Sequence, residues 1–174
     1  MNKSDLPAIG NDLGTTNAVL AYRDSTGRPL TLLNAEGELT TPSVVYFHPS
    51  AVVVGKEATK MALFEPQRVA QFAKRDMGHE RYHRPICGQQ LPPEVIEALV
   101  LRKMVSDARL RLGDFRKTVI TVPAYFNEPR RKATQDAGRL AGLEVMDIIN
   151  EPTAAAIAFG VQEGFLSSTA VARY

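Results

Sequence analysis

The sequence lacks the features of secreted and membrane proteins. It contains a single cysteine, Cys87, so no disulfide can form within the chain, which excludes the disulfide-bonded folds of secreted domains. No segment approaches the ~18 consecutive apolar residues of a membrane-spanning helix. Residues Met1–Leu6 contain no apolar signal-peptide segment. These observations predict a cytoplasmic protein with no membrane partner.

The charge of the chain is nearly balanced and does not favour a nucleic-acid partner. The 174 residues include 21 basic and 19 acidic side chains, which gives a formal net charge of +2. The longest basic run is Arg130–Lys132, and so short a run is most often a solvated helix face. Because hydrophobic residues make up 44% of the chain, we expect a globular protein with a buried core.

The segment Asp12–Asn17 is the most informative part of the sequence. It joins two apolar stretches, Ala8–Ile9 and Ala18–Ala21, so the pattern predicts a hairpin with polar residues at its tip. Gly14 allows the backbone to approach an oxyanion closely, and Asp12 is suited to hold Mg²⁺ directly or through water. The Lys-Ser/Thr ending of a Walker loop does not follow, and the next segment has strand character. The alternative is an ordinary hairpin turn, in which Gly and Asn are common.

Hydrophobic periodicity predicts an α/β layout. The predicted strands are Ala8–Asp12, Asn17–Arg23, Leu30–Asn34, Ser43–Phe47, Val52–Val54, Thr118–Val122 and Val145–Ile149. The predicted helices are Lys56–Phe64, Val69–Met77, a long helix from Pro92 to Leu112, a helix capped by Asn127 and stopped by Gly142, and an Ala-rich helix from Pro152 to Gly160. The expected buried helix positions are Ile96, Val100, Met104, Ala108, Leu112, Ala133, Ala137, Leu140 and Ala141. Residues 78–90 lack periodicity and are predicted to form a surface loop.

Three further motifs follow the hairpin in a fixed order: Val122–Asn127, Asp136–Val145 and Ile149–Ala156. With Asp12–Asn17, they resemble the heat-shock protein 70 (DnaK-type) chaperones, and the resemblance extends from Ile9 to about Gly160. The N-terminal ATPase domain of that family has the actin-like fold. The resemblance therefore implies an actin-like ATPase (ribonuclease-H-like) lobe, with a mixed sheet flanked by helices and an inserted small subdomain.

The length of the chain fits one lobe of the two that form this ATPase domain. The second phosphate motif of the family, Asp-Leu-Gly-Gly-Gly-Thr, has no counterpart before Tyr174. The resemblance thus implies a partial nucleotide-binding domain, residues 1–174, from a truncated gene product or an excised first lobe. Its core would comprise 6–42 and 117–174, and the inserted subdomain 43–116. The second lobe and the peptide-binding domain would be absent.

The resemblance also implies roles in binding ATP or ADP with Mg²⁺. Asp12 would hold the magnesium or its water, and hydrogen-bond donors to the phosphates would come from Gly14, Thr15, Thr16 and Asn17. Lys74 lies where the family has a catalytic lysine, whose charge would offset that of the transferring phosphoryl group. Glu151 would bind the metal through water and orient the attacking water. The alternatives are a solvated Lys-Arg pair for Lys74 and a carboxylate that complements a helix dipole for Glu151.

Two other positions concern coupling between domains. Pro123 and Arg131 lie where the family has a relay that reports nucleotide state to the peptide-binding domain. The alternative is a strand terminator and a surface arginine. The family's other partners are unfolded polypeptides, a J-domain co-chaperone and a nucleotide exchange factor, which act mostly through parts absent here.

Two features predict physical consequences. Asn11 departs from the family strand, which has a buried apolar residue at this position, and a buried amide without a partner costs on the order of 1–3 kcal/mol. We therefore expect Asn11 to lower stability. The Ala-rich helix and the tail 161–166 should expose apolar surface, because the second lobe of the family would cover one side of the first.

The sequence favours the first lobe of a DnaK-type chaperone ATPase, which in the family drives protein folding with ATP. It would carry the phosphate and magnesium half of the site and lack turnover on its own. The alternative is a non-catalytic interaction or relic fragment that keeps the fold. A sugar or carboxylate kinase of the same actin-like superfamily is disfavoured by the long Val122–Asn127 and Ile149–Ala156 matches.

Overall fold

A computed structural model describes residues 8–166 of the chain. The strands are β1 (Ile9–Leu13), β2 (Asn17–Arg23), β3 (Pro29–Thr31), β4 (Thr41–Pro42), β5 (Val44–His48), β6 (Ala51–Val54), β7 (Val69–Gln71), β8 (Lys117–Val122) and β9 (Glu144–Asn150). The helices are α1 (Lys56–Met61), α2 (Pro93–Leu112), α3 (Glu128–Leu140) and α4 (Glu151–Gln162), with short 3-10 turns at Pro66–Arg68 and Ala73–Asp76.

The main sheet is mixed and has the strand order β3-β2-β1-β8-β9, with β4 beside β2. Strand β1 is antiparallel to β2 and parallel to β8, and β8 is parallel to β9. A second, antiparallel sheet has the order β6-β5-β7 and lies within residues 44–71. The predicted mixed sheet flanked by helices is confirmed. The division into core segments and an inserted subdomain stays a prediction, and its ends, residues 1–7 and 167–174, lie outside the described residues.

The core lies on one face of the main sheet. In β1 the buried residues alternate with exposed ones, which places Ile9, Asn11 and Leu13 on the core side. Helix α2 is buried along one side, as predicted, at Ile96, Val100, Met104 and Ala108, whereas Leu112 is half-buried. The alternation of buried and exposed residues in β1 is what a sheet with one packed face produces.

Helix α3 approaches the sheet closely because of a glycine. A Cβ atom on Gly138 would lie 2.4 Å from Cγ2 of Val145 on β9, so any larger residue would have to displace that side chain. Asn127 caps the helix as predicted, since its Oδ1 accepts a hydrogen bond from the backbone amide of Arg130. Leu140, another predicted core position, is exposed instead, because the buried side of the helix runs through Thr134, Ala137, Gly138 and Ala141.

The predicted helix over Val69–Met77 is wrong. Residues Val69–Gln71 form β7, which pairs with β5, and a 3-10 turn follows at Ala73–Asp76. Between them Phe72 adopts the left-handed conformation with φ 60°, which an aromatic side chain rarely takes and which a helix cannot include. A short apolar run has the same pattern in a buried strand as in a helix, so periodicity could not separate the two.

The predicted strand Leu30–Asn34 is shorter in the structure, where β3 ends at Thr31. Asn34 instead forms a turn, because its Oδ1 accepts from the Glu38 amide at 2.8 Å and its Nδ2 donates to the Thr40 carbonyl. Asparagine side chains compete in this way with strand pairing.

Residues 78–90 form an irregular segment, as predicted, but a buried tyrosine anchors it. The hydroxyl of Tyr82 accepts a hydrogen bond from the Gln71 amide and donates one to the Gln71 carbonyl. Tyr82 is fully buried, so this loop is tied to the end of β7.

Helix α4 presents apolar surface to solvent, which confirms the expectation for this part of the chain. Phe159 is 59% exposed and Phe165, after the helix, is 77% exposed. Within the described range 8–166, none of the helices has the length and apolar character needed to cross a membrane.

Candidate phosphate and magnesium site

The turn between β1 and β2 is held in one conformation from two sides. A Cβ atom on Gly14 would lie 2.1 Å from the carbonyl oxygen of Asn17, so a side chain here would force the turn open. The Ser43 hydroxyl donates to the Gly14 carbonyl and the Ser43 amide donates to the Thr16 carbonyl, each at 2.8 Å. The glycine is therefore required by close backbone contact, and the turn is more constrained than an ordinary hairpin loop.

Asp12 lies on the exposed face of β1, just before this turn. Its Oδ1 accepts a hydrogen bond of 2.7 Å from the Thr121 hydroxyl on β8. That bond orients the carboxylate while leaving it open to solvent. Carboxylate oxygens, together with phosphate and water, are the ligands that Mg²⁺ prefers, so this group fits the proposed metal role.

Lys74 is buried and paired. Its side chain is 4% exposed, and its Nζ lies 2.7 Å from Oε1 of Glu151. The ammonium also lies 5.8 Å from the ring centroid of Phe126, within cation–π range. The neighbouring Arg75 lies over Phe72. These contacts exclude the interpretation of Lys74 as a solvated surface lysine.

Glu151 opens α4 and reaches Lys74 from the end of β9. Its side chain is 39% exposed, so one side of the carboxylate faces solvent. The residue also lies in the first turn of a helix, where a negative charge is favourable. The Glu151 carboxylate can therefore complement the dipole of α4 and pair with Lys74 at the same time.

Arg131 ties α3 to the strand that precedes Glu151. Its guanidinium donates to Oδ1 of Asn150 at 2.9 Å and to the carbonyl of Ile148. Arg131 is therefore engaged with the main sheet and is not a free surface arginine. Pro123 directly follows β8, as a strand terminator would.

The topology brings these residues to one edge of the sheet. Strands β1, β8 and β9 are parallel, and Asp12, Thr121 and Ile149 lie side by side in register. With neighbouring strands about 4.8 Å apart, the Cα atoms of Asp12 and Ile149 are separated by about 10 Å. An open cavity of about 220 Å³ lies between the turn and the segment that carries Lys74; its lining includes Thr15, Thr16, Asn17, Ser43, Gln71 and Phe72.

Sequence reasoning missed three residues that shape this site: Ser43, Thr121 and Phe126. Each acts through a contact with a residue far along the chain. Phe126 belongs to the Val122–Asn127 motif, but nothing local to the motif indicates its contact with Lys74. Glu97 was missed as well. It lies next to Ile96 on the helical face that the apolar periodicity places in the core, and a charged residue at such a position was the available signal.

Glu97 is a fully buried carboxyl on α2. Its Oε2 has no hydrogen-bond partner among residues 8–166. Burial raises the pKa of Glu97 to about 8, and the positive charge and the backbone amide of Lys74 only partly oppose this. Desolvation thus outweighs the nearby cation, whose charge is already engaged by Glu151.

Comparisons with known proteins agree with the motif order. The sequence matches the family described as Hsp70 protein over residues 8–87 and 81–172. It is 44% identical to a chaperone protein DnaK of Thermus thermophilus, over 90% of this chain and 29% of that protein. It is 45% identical to the chaperone protein DnaK of Thermotoga petrophila, over 89% of this chain and 26% of that protein. The chain thus spans less than a third of the length of these curated relatives.

The two family matches together cover almost the whole chain, and the identity to both relatives is well above the level at which family membership is in question. The mixed sheet, the constrained turn after β1 and the Asn-Glu-Pro-Thr segment at the end of β9 lie where the motifs predict them. This chain belongs to the Hsp70 family of DnaK-type chaperones.

Proposed function

We propose that the chain forms the first lobe of a DnaK-type ATPase domain and carries the phosphate and magnesium half of an ATP site. The Hsp70 family is a nucleotide-binding family. The observation that best supports the proposal is the ion pair between the buried Lys74 and the partly exposed Glu151, at the edge of the sheet where the Gly14 turn lies. A lysine that is shielded from water and held by one carboxylate is suited to bind a phosphate oxygen.

Each side chain has a distinct proposed role toward ATP or ADP. The backbone amides and hydroxyls of Gly14–Asn17 bind phosphate oxygens, and Asp12 and Glu151 hold Mg²⁺ through water. When bound, the metal neutralises charge on the phosphates. Lys74 places a positive charge beside the terminal phosphate, and Glu151 keeps that ammonium in position and orients a water molecule for attack.

The proposed lobe has core segments 6–42 and 117–174 and an inserted subdomain, 43–116. Its apolar surface on α4 is the candidate contact for a second lobe, which would supply the adenosine contacts. We propose that Arg131, through Asn150, and Pro123, at the end of β8, belong to the relay between nucleotide and peptide-binding domains. Partners of the complete protein are then unfolded polypeptides, a J-domain co-chaperone and a nucleotide exchange factor, in the cytoplasm.

One observation favours the alternative of a non-catalytic interaction fragment. Asn11 is buried, and neither polar atom of its side chain has a partner among the described residues. It lies one residue from Asp12, so a local shift of β1 that satisfied this amide would displace the proposed metal ligand. Such a chain would keep the fold and its exposed α4 surface without turning over ATP.

We expect the 174-residue chain alone to bind Mg-ATP more weakly than micromolar and to show no multiple turnover, because only phosphate and metal contacts are proposed within it. Isothermal titration calorimetry and a phosphate-release assay measure the two quantities. A micromolar or tighter dissociation constant would show that the chain also holds the nucleoside, and would contradict the half-site.

A further inference from the structure

The buried carboxyl of Glu97 lies against the turn that carries Lys74. Helix α2 packs on the 3-10 turn Ala73–Asp76. Glu97 is 1% exposed, and one oxygen of its carboxyl faces the backbone amide of Lys74. Its other oxygen, Oε2, has no partner within the described range. The proposed roles in ATP binding do not account for this group.

Physical chemistry favours an uncharged Glu97 at neutral pH. An ionised carboxylate in the core costs several kcal/mol unless it is paired and fully hydrogen-bonded. The nearest cation, Lys74, already pairs with Glu151 at 2.7 Å. Burial raises the pKa of Glu97 to about 8, against the pull of Lys74. The carboxyl therefore keeps its proton below that pH.

Lys74 is the charged side chain that acts on Glu97. The elements packed against α2 are the Lys74 turn, α3, β5 and β6. Their other ionisable groups are exposed or have partners elsewhere. Glu128 and Lys132 are exposed, and the pairs are Tyr46 with Glu65, Arg75 with Phe72, Asp76 with His83, Arg130 with Phe126, Arg131 with Asn150, Asp136 with Arg139 and His48 with Ser50. On α2 itself, Lys103 pairs with Asp107. A change of charge at Glu97 would therefore be felt first at Lys74.

We propose that Glu97 is a positioning residue for Lys74, which holds the backbone of the Lys74 turn from inside the core and leaves the ammonium charge for Glu151 and a bound phosphate. An ionised Glu97 carboxylate would compete with Glu151 and with a bound phosphate for the Lys74 ammonium. The inference rests on the proposed role of Lys74 in phosphate binding. Glu97, on α2, would thus be added to the residues of the candidate site, although it lies outside every sequence motif of that site.

The test follows Lys74 directly in the full 174-residue chain, without nucleotide. Lysines are labelled with ¹³C at Cε, and the Lys74 signal is assigned by its loss in Lys74→Arg. We expect this signal to shift in a step with a midpoint near pH 8, the pKa of the buried Glu97 carboxyl. The step should be absent in Glu97→Gln and unchanged in the control Glu80→Gln, which alters an exposed carboxyl. A wild-type signal without the step, or a step that persists in Glu97→Gln, would overturn the proposal.

The positioning role is tested by comparing two variants at neutral pH. Glu97→Gln keeps an acceptor for the Lys74 amide, whereas Glu97→Leu removes it. We expect the Lys74 signal to stay near its wild-type position in Glu97→Gln and to move in Glu97→Leu, with the signals of the exposed Lys56 and Lys60 unchanged in both. If the Lys74 signal of a folded Glu97→Leu variant is identical to that of wild type, the positioning role is refuted. If Glu97→Leu does not fold, the pH step still decides. Because no nucleotide is present, these results do not depend on whether the chain binds ATP.

Discussion

Glu97→Gln is expected to gain stability relative to wild type as pH rises. In the unfolded chain the Glu97 carboxyl titrates near its ordinary pKa of 4.5, whereas burial raises the folded-state pKa to about 8. Between these values the folded wild type binds a proton that the unfolded chain has released, so its stability falls as pH rises. Below pH 4.5 both states are protonated, and above about pH 8 neither is, so the loss is confined to this window.

Across the window, the difference in the free energy of unfolding between the variant and wild type is expected to change by on the order of 5 kcal/mol. The new amide hydrogens of the glutamine carry a burial cost of about 1–3 kcal/mol, but that cost is the same at every pH. The slope against pH is therefore the informative quantity. Urea unfolding at several pH values across the window measures it, with Glu80→Gln as the exposed control. Parallel stability curves for Glu97→Gln and wild type would show that Glu97 is ionised in the folded protein.

Asn11→Ile is expected to raise the free energy of unfolding by on the order of 1–3 kcal/mol. Asn11 is 2% exposed, and its Nδ2 and Oδ1 both lack partners among the described residues. It lies beside Leu20 on β2 and Ile120 on β8, both of which are buried. An apolar side chain with the same number of non-hydrogen atoms suits these neighbours and removes two unsatisfied polar atoms.

A matched control for Asn11 lies on the adjacent strand. Thr118 is also buried, but its hydroxyl donates to the Ile9 carbonyl at 2.9 Å. Thr118→Val should therefore lower the urea midpoint, whereas Asn11→Ile should raise it. A midpoint that is unchanged or lower in Asn11→Ile would mean that the amide is satisfied in solution, for example by an internal water molecule.

The strands and helices that the sequence predicted well are those whose residues interact along one local pattern. Strand β2 has the predicted bounds, and α2 is buried where its four-residue repeat placed it. The segment Val69–Met77 was mispredicted because β7 exists only through its pairing with β5. The left-handed Phe72 also depends on that tertiary context, since a bulky residue does not adopt it by intrinsic preference.

The candidate site was predictable as a set of positions but not as a set of contacts. The motifs pointed to Asp12, Lys74 and Glu151, yet the pairing of Lys74 with Glu151 joins residues 77 positions apart. Burial of Lys74 results from the packing of α2 and of Phe126 around its turn. No periodicity in the sequence around Lys74 encodes that packing, and adjacent lysine and arginine residues are also typical of a solvated surface.

The central claim is that this chain binds the phosphates of a nucleotide with Mg²⁺ at the edge where β1, β8 and β9 end. Amide chemical-shift mapping with millimolar Mg-ADP tests it most directly. We expect shifts at Gly14–Asn17, Lys74 and Glu151 that require Mg²⁺ and disappear in Asp12→Asn. If these amides do not move, or if they move equally in Asp12→Asn and without Mg²⁺, the chain has no phosphate and magnesium site at this edge.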